Sequence, residues 1–130
     1  MRNWNLTASG VLLCIFMVGC AAQETPFAVS PSEREKGVLI EAKSFDFTPN
    51  IIKVDVPGRL VLQIRNVSSM EHNFTLKNPE GEIIKSVNLP EGETVTLEID
   101  LPRPGTYPFY CDRPFHASLG MKGVVKVVGR

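Results

Sequence analysis

The sequence predicts an all-β sandwich or barrel of about seven to eight strands. Three observations predict it. Apolar and polar residues alternate over short windows, most plainly Val95, Leu97, Ile99 and Leu101 against Thr94, Thr96, Glu98 and Asp100. Turn residues recur at short intervals, as Pro57-Gly58, Asn78-Pro79-Glu80-Gly81, Pro90-Glu91-Gly92 and Pro104-Gly105. No window sustains the 3.6-residue period of a helix; a single helical turn near Ala117–Gly120 is the most the pattern supports.

The chain begins with an export signal. Arg2 is the only charge before Glu24, and Val11–Val18 is continuously apolar. A basic start, a short apolar stretch and small residues after it describe a secretory signal over residues 1–19. Met17-Val18-Gly19-Cys20 resembles a bacterial lipobox, although Leu is usual at the position of Met17. Three outcomes follow: lipidation of Cys20, plain cleavage near Ala21-Ala22, or an uncleaved anchor, for which 21 uncharged residues just suffice. All three place the remainder outside the cytoplasm, in a periplasm or on the outer cell surface, and the first and third hold it on a membrane. Residues 20–36, with Pro26, Pro31, Ser30, Ser32 and mixed charge, read as a flexible tether. Residues 37–130 are the exported domain.

Within that domain the strands are expected at 38–44, 51–56, 59–65, 72–77, 82–89, 94–101, 105–111 and 123–128. One domain accounts for a chain of 130 residues. With 14 Lys and Arg against 14 Asp and Glu, the chain has no basic excess to serve nucleic acid. No glycine-rich phosphate loop appears, and nothing in the pattern marks a small-molecule substrate or a catalytic role.

Export changes the meaning of the cysteines. Cys14 lies in the signal and Cys20 in the lipobox, so the domain keeps only Cys111 and forms no internal disulfide. A free thiol in an oxidising compartment is a liability unless something occupies or buries it. The domain's two histidines fall into a frame with it. His72 shares a strand face with Phe74 and Leu76; Cys111 shares one with Tyr107 and Phe109; four residues separate Cys111 from His116, and four more separate His116 from Met121. One thiolate, two imidazoles and a thioether suit copper. Zinc favours more Cys or His, and calcium or magnesium needs oxygen ligands that do not cluster here. Met70 is a rival thioether, two residues before His72.

These residues carry a family resemblance. Gly105-Thr106-Tyr107-Pro108-Phe109-Tyr110-Cys111, then His116 and Gly120-Met121-Lys122-Gly123-Val124, resemble the C-terminal signature of the cupredoxins, the plastocyanin- and azurin-like blue copper proteins. Glu71-His72-Asn73-Phe74 is similar to the segment of their first His ligand, and Phe45–Pro49 and Pro57-Gly58 to their early strands. The spacing from Cys111 to His116 is longer than in plastocyanins and is similar to rusticyanin-like proteins.

The resemblance implies a Greek-key sandwich holding one copper ion through His72, Cys111, His116 and Met121. It implies a bond from Asn73 across to Asp112, where family members often have Ser or Thr, as a brace behind the ligands. It implies single-electron carriage between redox protein partners by a monomer. Pro114 and Phe115 flank His116 and, if exposed, form an apolar collar that serves as the electron port; the other reading is that Phe115 packs the end of the sandwich. The competing reading is a copper carrier or resistance protein that delivers metal; few spare Met and His support it.

Overall fold

The computed structural model describes residues 24–129. The leader, the lipobox and Cys20 lie outside the described residues.

Two sheets face each other. Their strands are β1 (Phe27–Ala28), β2 (Val38–Lys43), β3 (Asp46–Thr48), β4 (Ile51–Val54), β5 (Gly58–Asn66), β6 (His72–Lys77), β7 (Ile83–Leu89), β8 (Thr94–Leu101), β9 (Gly105–Tyr110) and β10 (Lys122–Val127), with one helix, α1 (Pro31–Lys36). The larger sheet has the order β1-β4-β10-β9-β6-β7 and the smaller β3-β2-β5-β8. The chain passes between the sheets from β1 to β2, β3 to β4, β4 to β5, β5 to β6, β7 to β8 and β8 to β9, so the described residues form the expected sandwich rather than a closed barrel. All eight expected strands are present, with ends shifted by up to two residues. The two additional strands, β1 and β3, have two and three residues, too few to display an alternating pattern.

Alternation is burial. Leu60, Leu62 and Ile64 of β5 and Leu97, Ile99 and Leu101 of β8 point between the sheets, joined from the other side by Phe74 and Leu76 of β6 and Tyr107 and Phe109 of β9. Three rings meet there. Phe47, Phe74 and Phe109 sit 5.0 to 5.8 Å apart, with Phe47 edge-on to the other two. Phe74 follows His72 by two residues and Phe109 precedes Cys111 by two, so this aromatic floor lies directly below the candidate ligands.

The expectation of a flexible tether fails for residues 27–36. β1 pairs with β4, and α1 begins with a complete capping box: the Ser30 hydroxyl accepts from Glu33 N–H, the Glu33 carboxylate accepts from Ser30 N–H, and Pro31 fills the first turn. Arg34 then fixes the helix by donating to the carbonyls of Val56, Pro57 and Arg59. Proline, serine and mixed charge here encode a helix cap rather than a spacer.

Gly123 has no room for a side chain. A Cβ there would stand 2.3 Å from Asn50 O and 2.4 Å from the Phe109 ring. Gly123→Ala is therefore expected to lower stability by about 1–3 kcal/mol, as overpacking of a filled core does. Urea unfolding of the metal-free domain measures this, and an unchanged midpoint would mean that β10 has slack.

Candidate metal centre

Antiparallel pairing brings the ligands to one end. Thr75 pairs with Tyr110, and Tyr110 with Lys122, so the start of β6, the end of β9 and the start of β10 lie together. Cys111 N–H donates to Met121 O at 3.1 Å, which continues the β9–β10 ladder by one rung and closes the loop of residues 112–120. Inside that loop His116 N–H donates to Arg113 O at 3.1 Å and Met121 N–H to His116 O at 3.0 Å. The helical turn expected near Ala117–Gly120 is a set of turn bonds that does not propagate, from Leu119 N–H to Phe115 O and from Gly120 N–H to Ala117 O.

Three donors converge: His72 Nδ1 and His116 Nδ1 are 3.2 Å apart, and Cys111 Sγ lies 4.0 and 3.4 Å from them. His72 and Cys111 are buried, and His116 is half-buried. A triangle with these sides has its centre about 2.1 Å from each corner, which is bonding distance for a first-row metal with nitrogen and sulfur ligands. Met121 is fully buried beside Cys111, whereas Met70 is exposed on the loop before β6 and contributes its carbonyl to Asn66. A buried set of two imidazoles and a thiol, with a thioether in the adjoining position, fits a single copper ion per chain.

The surrounding residues set the state of these donors. His72 Nε2 lies 2.8 Å from Ser68 Oγ, whose own proton has two acceptors in reach, Asn66 Oδ1 at 2.8 Å and Met70 O at 3.1 Å. The hydroxyl thus accepts from Nε2–H and leaves a lone pair on Nδ1, facing the other two donors. Asn66 is fully buried and donates to the carbonyls of Met70 and Leu89, which fixes the turn carrying Ser68. Burial, the neighbouring His116 and the Arg113 cation hold the His72 imidazole below the usual histidine range, so it stays neutral and available to a metal. Arg113 pairs with Glu71 and also reaches Asn88, tying the ligand loop to β6 and β7. The Phe45 ring meets His116 edge-on at 4.9 Å between centroids.

The Asn73–Asp112 bond does not form. Asn73 Oδ1 accepts from Thr75 Oγ1 at 2.6 Å and Asn73 Nδ2 donates to Ser86 Oγ at 3.2 Å, because Thr75 and Ser86 are paired on the adjoining strands; Asp112 is exposed beyond the end of β9. Asn73 acts on the site through its backbone, whose N–H donates to Cys111 Sγ at 3.4 Å. Sequence reasoning missed Ser68, Asn66 and Arg113. Asn66, Ser68 and Ser69 before His72 signal the turn, since Asn and Ser bond backbone two residues on.

The family model of a cupredoxin-like domain matches residues 10–127. The chain belongs to the cupredoxin-like family. Three solved structures share the fold of this cupredoxin. Reduced auracyanin from the photosynthetic bacterium Roseiflexus castenholzii is 22% identical, with a TM-score of 0.61 over 69% of this chain and 94% of that one. Auracyanin A, a blue copper protein from the green thermophilic photosynthetic bacterium Chloroflexus aurantiacus, is 23% identical, with a TM-score of 0.57 over 70% of this chain and 98% of that one. A multicopper oxidase is 17% identical, with a TM-score of 0.55 over 68% of this chain and 42% of its own. No curated protein matches the sequence.

Two outcomes are expected. In the metal-free domain, residue 72 takes up its proton near pH 6.5 when unfolded but only at lower pH when folded, so stability falls as pH drops through 6.5. Unfolding midpoints between pH 7.5 and 5.5 should show a smaller decline for His72→Gln; an equal decline would place the titration elsewhere. Ser68→Ala should weaken copper binding about 10–100-fold by freeing the ring it orients, as read by competition with a copper chelator, and an unchanged affinity would remove Ser68 from the site.

Proposed function

We propose that this cupredoxin is an exported, membrane-anchored blue copper protein that carries single electrons between redox partners, and that His72, Cys111, His116 and the thioether of Met121 would hold the copper. The observation that supports it most is the triangle of His72 Nδ1, Cys111 Sγ and His116 Nδ1, with the buried Met121 paired to Cys111 on the adjoining strand. Bound copper supplies a Cu(II)/Cu(I) couple.

The chain's part is to keep the donors fixed and dry. The Cys111–Met121 rung, the Ser68 hydroxyl and the Asn73 N–H each hold one donor in place, so a change of charge at the centre meets little rearrangement. The buried surroundings disfavour the more highly charged form and raise the potential. Pro114, Phe115 and His116 form the port. Phe115 is 80% exposed and Leu119 60% exposed, and together they make an apolar collar beside the half-buried His116. The alternative of a metal-delivery protein has less support, since Met70 stands apart and no further His is present in the chain. The multicopper oxidase likeness reflects the sandwich; the domain's two histidines are both at this one site. Among the described residues no helix is long and apolar enough to cross a membrane, so anchoring falls to the leader or to Cys20.

Titration of the metal-free domain with Cu(II) should give an intense blue sulfur-to-copper band that saturates at one ion per chain. Cys111→Ser should abolish it; a colourless, weakly held ion would overturn the reading. Met121→Leu should keep the colour and raise the reduction potential, because the thioether donor is lost. Voltammetry measures this, and an unchanged potential would exclude Met121 as a ligand.

A further inference from the structure

The described chain enters the fold at its metal-bearing end. β1, β4 and β10 are parallel, with Phe27 level with Ile52 and Ile52 level with Val125. β10 starts at Lys122, next to Met121. Traced backwards from Phe27, the chain therefore runs towards that same end, where Asn50 Nδ2 donates to the Glu24 carboxylate at 2.8 Å and Asn50 O accepts from Val124 N–H at 2.8 Å. The opposite end carries Val54, Val127 and the Pro104-Gly105 turn.

Cys20 precedes Glu24 by four positions. Four residues reach at most about 14 Å. A long tether would let the domain swing freely, but the ordered strand, cap and helix of residues 27–36 leave no such length. An uncleaved span ending at Gln23 would leave the domain from the same point.

On the membrane anchoring proposed above, we infer that the domain is held with its copper-bearing end towards the bilayer, with Phe115 and Leu119 resting on the headgroup layer. Both side chains project from the loop of residues 112–120, beside His116. Phe115 has φ of 67°, a left-handed backbone that a bulky residue rarely adopts, and its ring is exposed rather than packed on the core. An aromatic and a leucine at the tip of an anchored domain suit the membrane interface, where apolar bodies with polar neighbours settle. A gap of about 14 Å is narrower than a soluble carrier of 100 residues, whose radius of gyration alone is about 13 Å. The port then exchanges electrons with a redox group in or on the same membrane.

The test uses the full-length, copper-loaded and reduced chain, carrying Trp4→Phe so that the introduced Trp is the only one. Phe115→Trp and Leu119→Trp probe the collar, and Val128→Trp probes the opposite end. Each is reconstituted into phosphatidylcholine vesicles with and without bromine on the acyl chains near the headgroups. Fluorescence of Phe115→Trp and Leu119→Trp should fall about twofold or more in brominated vesicles, with Val128→Trp unchanged. Equal emission from the collar variants in both vesicles, while the chain still floats with the lipid, would overturn the orientation. Quenching of Val128→Trp instead would reverse it. A chain that does not float, and whose mass shows neither an acyl group on Cys20 nor a retained leader, would overturn the anchoring reading and the inference with it.

Discussion

The hydrogen bond from Cys111 N–H to Met121 O is the constraint on which the centre depends. It extends the β9–β10 ladder one step past both strands and sets the thiol beside the thioether. Between its two ends the loop of residues 112–120 must return His116 to within 3.4 Å of Cys111 Sγ. It does so because Met121 N–H binds back to His116 O and Arg113 anchors the loop to Glu71. Three of the proposed ligands thus come from a single hairpin whose geometry the sheet enforces.

The fourth comes from β6, and its cost is visible. His72 is fully buried beside another imidazole and near a cation, an environment that disfavours its charged form. Two imidazole nitrogens and a sulfur stand 3.2 to 4.0 Å apart at this end of the sandwich. The rigid aromatic floor of Phe47, Phe74 and Phe109 and the satisfied Asn66–Ser68 turn hold them in place. A metal ion bound there would draw the three donors onto one centre.

Much of this was legible in the sequence, for stated physical reasons. The period of two in β5 and β8 follows from a sheet with one buried face, so those strands were readable. The ligands were readable because soft and imidazole donors are scarce here: one Cys and two His in the exported domain. What stayed hidden depends on local chemistry or on pairing. β1 and β3 exist only through their neighbours β4 and β2. The run Pro31–Lys36 looked like a spacer because its capping box uses the same residue types as loops do. The Asn73–Asp112 brace failed because Thr75 on the same strand and Ser86, set opposite Thr75 by the β6–β7 register, take the amide instead. The support of His72 by Ser68 was missed because it reaches back across a turn.

The central claim is that the fold builds the donor triangle before any metal arrives. Crystal structures of the same domain without metal and with copper test it most directly. The account predicts that His72 Nδ1, Cys111 Sγ and His116 Nδ1 move by less than about 0.5 Å between the two, as a preorganised site requires. A metal-free domain in which the His72 or His116 ring has swung away from Cys111 would contradict it.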